Sequence, residues 1–333
     1  MGTIPHKMKA VVQSEAGGLL KLMEIETPIP SDGQVLVKME FASINPSDLS
    51  LLQGTYSGEN KYPIVPGIEG SGEIVAFGAG LLPKLRMGKR VSCTSTANLG
   101  GSWAEYMLTS AMHVIPISKN ISFESATSLI VNPLTAIAFI DIAKKKKHSS
   151  IVNNAASGAL GKMLIRLSKA GKINLINIVR SQTQKEQLKA FGAKYILDSS
   201  STNYANELKE ICQKLDARLF FDAIGGQATS DFVNASPMGS KIYVYANLSE
   251  TESKFDPRTL LQQRKEIKGF FLGHYSAEQS LVKTLGSIKR AKKLLYQELK
   301  TDIANTFKLD EVQQAIEQYS KNMSQGKILL KCK

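Results

Sequence analysis

The chain has 333 residues, of which 43% are apolar and 21% charged; this excludes a disordered or collagen-like chain and leaves length for one or two packed cores. Its cysteines, Cys93, Cys212 and Cys332, lie far apart with no C-x-x-C spacing, which excludes a disulfide framework and a cysteine-rich zinc lobe and fits a reducing compartment. The formal net charge of +13 points to polyanionic partners: a phosphorylated cofactor, coenzyme A or nucleic acid.

The first residues contain no apolar stretch of signal-peptide type, and no apolar run approaches membrane-spanning length, so a cytoplasmic chain with no membrane partner is expected. Residues 1–120 then read as short strands, at 9–12, 34–41, 72–77 and 90–93. Pro28, Pro30, Asp32-Gly33, Pro66-Gly67 and Gly100-Gly101 punctuate them. A Greek-key β domain is expected. From Ser122 the period changes, with helices predicted over 123–130 and 133–145 and Pro133 in a first turn. The second helix ends in Lys144, Lys145, Lys146 and Lys147. Cations at a helix C-terminus favour its dipole, and no aromatic residue is interleaved with them, so a solvated helix end is read there and nucleic acid is disfavoured as a partner.

Strands and helices alternate from residue 151. Strands are predicted at 151–152, 174–179, 195–197, 218–223, 241–246 and 267–272, with helices at 184–191, 204–215 and 257–264 among those between. Six strands with crossover helices make an α/β domain with a doubly wound parallel sheet. Helices at 280–296 and 309–321 and a strand at 327–331 close the chain. The tail is expected to return to the N-terminal domain, giving one domain of 1–121 with 273–333 and a second of 122–272.

The stretch 151–180 carries the chemistry. An apolar strand is followed by Ala155-Ala156-Ser157-Gly158-Ala159-Leu160-Gly161, of form A-x-x-G-x-x-G, then by a helix ending at Gly171 and a second strand ending at Arg180. Bare backbone N–H groups at a helix N-terminus bind a pyrophosphate, and larger side chains would hold it off. Ser157, Gly158, Ala159, Leu160 and Gly161 are therefore cofactor-binding candidates. The same small residues also serve a tight turn, but the strand–loop–helix–strand context favours a nucleotide. An NAD site carries an acidic residue at the end of the second strand. Arg180 stands there instead, with Lys185 following. A guanidinium binds a 2′-phosphate in a fork where a carboxylate repels it, so NADPH is expected over NADH.

Asn45-Pro46-Ser47-Asp48, Pro66-Gly67-Ile68-Glu69-Gly70, Trp103-Ala104-Glu105-Tyr106, the nucleotide loop and Gly326-Lys327-Ile328-Leu329, in this order, resemble the medium-chain dehydrogenase/reductase superfamily. The resemblance implies a GroES-like β domain joined to a Rossmann domain, an active-site cleft, and a homodimer formed through the Rossmann sheet edge. Zinc-dependent members place a Cys and a His where Asn45 and Ile68 stand, and neither of these is a suitable zinc ligand. A branch without metal is expected, which disfavours alcohol dehydrogenation.

Two metal-free branches compete. Quinone oxidoreductases of the zeta-crystallin type share the loop. The 2-enoyl thioester reductases match more closely, at Gln53-Gly54-Thr55-Tyr56, Val131-Asn132-Pro133-Leu134-Thr135-Ala136, Asn177-Ile178-Val179-Arg180 and Gly269-Phe270-Phe271-Leu272, although 57–61 departs from their pattern. That resemblance implies Tyr56 as proton donor; a turn tyrosine is the plain alternative. It implies Asn45, Asn132 and Thr135 near cofactor and substrate, and gives Trp103 a substrate-cleft role beside ordinary packing. The expected activity is NADPH-dependent, zinc-independent reduction of the C=C bond of an α,β-unsaturated carbonyl, with a 2-enoyl thioester as substrate. A quinone or small enone is the alternative substrate. A non-catalytic nucleotide- or RNA-binding role of crystallin type is a third class, and it does not require Tyr56 or Arg180.

Overall fold

The N-terminal part opens with β1 (Lys7–Gln13), paired antiparallel with β2 (Leu20–Glu26). In this computed structural model, residues 3–56, 61–96 and 98–333 are described. β2 went unread in the sequence; it is largely exposed, and its apolar–polar alternation shifts phase at Leu22-Met23. The long strand β3 (Gln34–Ser43) follows, then α1 (Pro46–Leu52), which starts on a proline after the cap residue Asn45. Next come β4 (Glu69–Phe77), α2 (Leu81–Arg86), β5 (Arg90–Thr94), β6 (Tyr106–Ser110), β7 (Val114–Pro116) and α3 (Phe123–Thr127). The helix predicted over 123–130 stops at Thr127. Pro133 has no N–H to offer residue 129, so the first helix ends ahead of it and another begins with Pro133 in its first turn.

That helix is α4 (Val131–Lys145). It leads into β8 (Ser150–Asn153), α5 (Ala159–Ala170), β9 (Asn174–Val179), α6 (Gln182–Ala190), β10 (Tyr195–Asp198), α7 (Tyr204–Lys214) and β11 (Leu219–Asp222). Then follow α8 (Gly226–Ala235), β12 (Lys241–Val244), α9 (Pro257–Gln263), β13 (Glu266–Gly269), α10 (Leu272–Ala277) and α11 (Leu281–Leu294). The strands form one parallel sheet in the order β10-β9-β8-β11-β12-β13. The chain winds one way from β8 to β10 and the other way from β11 to β13, so a crevice opens beyond the C-terminal end of β8.

The tail adds β14 (Ile303–Lys308), a 3₁₀ turn (Leu309–Glu311), α12 (Val312–Lys321) and β15 (Lys327–Lys331). β15 lies antiparallel to β3, with Leu329 opposite Ser43, in a seven-stranded sheet ordered β14-β15-β3-β4-β5-β7 with β6 also paired to β3. Side chains of β3 alternate between two cores: Val35, Val37 and Met39 face one, Leu36 the other.

Two compact units result, Met1–Asn132 with Lys300–Lys333 and Pro133–Leu299. The expected divisions lay at 121/122 and 272/273. α10 and α11, which the sequence assigned to the first domain, belong to the unit of the parallel sheet, where Ala291 of α11 is buried.

Candidate active site and nucleotide cradle

In the unit of the parallel sheet, β8 ends in a polar pair, Asn153 and Asn154, both buried. The Asn154 amide donates to Asp222 Oδ1 (2.6 Å) at the end of β11, and its oxygen accepts from the Ala223 backbone (2.7 Å). Asp222 is fully buried; it also accepts from the backbone N–H of Ile224 and Gly225 and from the Thr229 hydroxyl (2.6 Å). A buried carboxylate needs such donors. Here they tie together the two loops that flank the crevice.

The loop itself runs from Ala155, held at φ 48°, to Gly158, the cap residue of α5. Ser157 and Gly161 are buried, while Gly158, Ala159 and Leu160 are half-buried at the helix start. A Cβ on Gly161 would lie 2.2 Å from the Ala156 carbonyl oxygen, so only glycine lets the helix approach the loop this closely. The first-turn N–H groups of α5 have no intrahelical acceptor. At the end of β9, Arg180 is exposed and forms no ion pair among the described residues. Its backbone N–H is bound by Gln184 Oε1 (3.1 Å), and Ser181 caps α6. Lys185 is half-buried on α6, and Thr135 is buried on α4. A nicotinamide dinucleotide fits these residues: a side-chain-free helix start for the pyrophosphate and an unmatched guanidinium at the ribose end.

In the other unit, the strand pairing of β15 with β3 brings Lys327 beside Asn45. Asp48, Glu69 and Lys327 are all buried, at 0%, 0% and 2% exposure. The Lys327 ammonium donates to Asn45 Oδ1 and lies 3.6 Å from Glu69 Oε1. Glu69 also accepts from the Ser43 hydroxyl (3.1 Å) and the Val131 backbone N–H (3.0 Å). The Asn45 amide donates to Ser43 Oγ (3.1 Å). Asp48 accepts from two backbone N–H groups, those of Asn45 (2.7 Å) and Ile68 (2.8 Å). Burial still raises the Asp48 carboxyl to about 7, against the pull of these bonds and of Lys327. Burial lowers the Lys327 ammonium, opposed by Glu69 and Asp48. Burial, and then the Asp48 charge, push the Tyr56 phenol up to about 12.

The donor set does not suit zinc. Asn45 is neutral, Ile68 contributes only its backbone, and a lysine ammonium occupies the space between Asn45 and Glu69. Among the described residues, no three His, Cys, Asp or Glu side chains gather as a metal site.

The predicted residues are thus divided. Tyr56 is half-buried just after α1, in the same unit as the charged cluster; residues 57–60 of the stretch 57–61 lie outside the described residues. Asn132 is half-buried in the first turn of α4. Two of them are enclosed. Asn45 is 1% exposed and its side chain is bound by Ser43 and Lys327 within the buried network. Trp103 is fully buried, its indole N–H on the Ser43 carbonyl (3.2 Å), so it has no surface with which to line a cleft. Sequence reasoning missed Asp48, Lys327, Asn154 and Asp222 as members of networks. Their signal was charge or amide among small and apolar neighbours, which becomes informative only once burial is known.

Known proteins resemble this chain. Residues 31–119 match the Alcohol dehydrogenase GroES-like domain family, and residues 159–287 match the Zinc-binding dehydrogenase family. The mitochondrial enoyl-[acyl-carrier-protein] reductase of Mus musculus is 28% identical over 83% of this chain and 75% of its own length. The Homo sapiens synaptic vesicle membrane protein VAT-1 homolog is 27% identical over 91% of this chain and 80% of its own. A Mesorhizobium loti structure provisionally named an NADPH:quinone reductase superposes with a TM-score of 0.90 at 30% identity, covering 99% of this chain and all of that one. No helix among the described residues is long and apolar enough to cross a membrane. With a glycine-gated nucleotide cradle in one unit and a lysine standing among the former ligand positions in the other, the chain belongs to the zinc-independent branch of the medium-chain dehydrogenase/reductase superfamily.

Proposed function

We propose that this oxidoreductase uses NADPH to reduce the C=C bond of an α,β-unsaturated carbonyl, with a 2-enoyl thioester as substrate. The observation that carries the reading is Tyr56, a partly buried phenol whose proton is held by burial and by the Asp48 charge. Such a group stays protonated across the physiological range and can give its proton only to a strongly basic acceptor. The bound nicotinamide supplies the hydride. Tyr56 then protonates the α-carbon of the enolate-like species from its hydroxyl. Ser157, Gly158, Ala159, Leu160 and Gly161 bind the pyrophosphate, Arg180 and Lys185 bind the 2′-phosphate, and Asn132 and Thr135 orient the reacting groups.

The likeness to the enoyl-[acyl-carrier-protein] reductase supports the thioester, and that to the provisionally named quinone reductase supports a quinone as the second reading. The test is NADPH oxidation with crotonyl-CoA against a panel of quinones. Turnover of crotonyl-CoA is expected; turnover confined to quinones overturns the thioester reading. A homodimer formed along the outer edge of β13 belongs to the same proposal. β13 is the last strand of its sheet, and the segment after it leaves Leu281, Val282 and Leu285 exposed. Sedimentation as a monomer at micromolar concentration removes that part.

A further inference from the structure

A groove of about 1220 Å³ runs along α4, β12, β13, α10 and α11, within the unit of the parallel sheet. It is not the nucleotide cradle, which lies at β8 and β9. Its floor is aromatic. Phe139 of α4 stacks on Phe221 (3.8 Å between centroids) and meets Tyr245 and Phe270 edge-on, and Phe270 in turn packs on Tyr275. Tyr245, Phe270 and Tyr275 line the groove.

Its two ends differ. At one end are Ala246 and Asn247, just past the C-terminal end of β12. Asn247 there lies against Gly225, on the loop that Asp222 ties to the nucleotide crevice. At the other end are Lys144, Lys145 and Lys146. The Lys146 ammonium reaches the Tyr243 hydroxyl (3.3 Å). Among the described residues, Lys144 and Lys145 make no ion pair. Between the ends, acidic and basic groups are mixed: Arg290 pairs with Asp141 (2.7 Å), Lys268 pairs with Glu266 (2.9 Å), and Glu278 and Lys283 also line the groove. The lysine run that reads in sequence as a solvated helix end therefore forms the one concentrated cationic end of a built groove. A nucleic acid strand needs cations along its whole length, and here the carboxylates Asp141 and Glu278 interrupt them.

The span from the aromatic cluster to the lysines follows from the helix. Phe139 to Lys145 is six residues of α4, about 9 Å, and an extended lysine adds further reach. A linear ligand with a reactive group at the crevice and an anion at its far end matches these dimensions. We propose that the groove holds the phosphopantetheine arm of an acyl thioester, its phosphate on Lys144, Lys145 and Lys146 and its thioester toward the C-terminal edge of β12. That arm has about thirteen bonds from sulfur to phosphorus, the length of four to five peptide residues or about 15 Å. The inference rests on the thioester reading above and names how the substrate is recognised. The arm occurs in coenzyme A and on carrier proteins, and both present the same chemistry.

The test titrates the NADPH-saturated full chain calorimetrically with coenzyme A, 4′-phosphopantetheine and pantetheine. The two phosphorylated ligands are expected to bind at least about tenfold more tightly than pantetheine, the value of one charge-assisted hydrogen bond. Lys145→Ala with Lys146→Ala removes that advantage, and Lys145→Arg with Lys146→Arg keeps it. Both pairs change only exposed side chains. Equal affinity for phosphorylated and unphosphorylated arms, no binding of coenzyme A to the wild type, or an alanine pair that binds it as the wild type does overturns the proposal. An alanine pair that changes the sedimentation coefficient also overturns it, because the groove is then a contact between subunits. The crotonyl thioester of N-acetylcysteamine has no phosphate and only a short arm, so its turnover supports the thioester reading independently of the groove, and the alanine pair is expected to leave that turnover unchanged. Crotonyl-CoA and crotonyl-carrier protein separate the sources: the alanine pair raises KM for whichever uses the lysines, and a rise for neither overturns the assignment.

Discussion

Lys327 offers the sharpest test of the buried network. Lys327→Met keeps the length of the side chain and removes its charge. Glu69 and Asp48 then remain buried with no cation, and Asn45 Oδ1 loses its donor. Breaking a buried pair by removing one partner costs about 3–5 kcal/mol. For a unit of this size, each kcal/mol moves the midpoint by about 2–4 °C, so a fall of roughly 6–20 °C is expected. The loss is larger at pH 8 than at pH 5, because the Asp48 carboxyl, raised to about 7, is ionised and needs the cation at pH 8 but holds its proton at pH 5. Adding Glu69→Gln to Lys327→Met recovers at least half of the loss. Its amide oxygen can keep the Val131 N–H while its NH₂ turns to Ser43, which leaves only Asp48 of the two carboxyls without a cation. The assay is thermal unfolding followed by near-ultraviolet circular dichroism, in a double-mutant cycle at both pH values. A shift below about 2 °C at pH 8, less than one kcal/mol for a domain of this size, would refute the reasoning. So would a loss greater at pH 5 than at pH 8.

Three further outcomes are expected. Tyr56→Phe lowers turnover of an enoyl thioester by about 100- to 10,000-fold, the usual worth of general acid catalysis, and spares quinone reduction and NADPH affinity; wild-type turnover in paired kinetics makes Tyr56 a turn residue. Arg180→Asp weakens NADPH by a few kcal/mol and NADH far less, since a repelling charge replaces a pairing one; equal titration curves for both cofactors in the wild type remove the assignment. Because the folded-state pKa of Asp48 is raised from 3.8 to about 7, the native state holds that proton more tightly than the unfolded chain does, and stability falls as pH rises between those values. Asp48→Asn should abolish this contribution, whose slope reaches about 1.4 kcal/mol per pH unit; denaturant titrations at pH 4, 5.5 and 7 that give parallel trends for both proteins count against it.

Much of the fold is local and was readable from the chain alone. Gly161 and its small neighbours, bounded by an apolar strand and an amphipathic helix, mark the first crossover of the parallel sheet, because strand and helix periods differ and the turn tolerates no Cβ. Most strands of that sheet were legible because buried parallel strands are largely apolar, while the edge strand β13 carries Glu266 and Lys268 and is partly exposed. β2 and β14 were not, since largely exposed strands lack that contrast. The missing ligands at Asn45 and Ile68 were also plain, because coordination depends on side-chain type and not on where the chain goes.

What tertiary structure decided is which distant residues meet. Lys327 and Asn45 are 282 residues apart, and only the antiparallel pairing of β15 with β3 makes them neighbours. That pairing turned a lysine of a terminal strand into the buried cation of the site and turned Asn45 inward. Trp103 carried no sequence mark to separate a cleft from a core, and burial against the Ser43 carbonyl settled it. The lysines at 144–146 lack aromatic neighbours in sequence but share a groove with Tyr243, Phe270 and Tyr275, which come from other elements. Periodicity and side-chain chemistry act within a few residues and belong to the sequence. Burial, and with it the effect of a charge on its neighbours, arises only when segments far apart in the chain exclude water together.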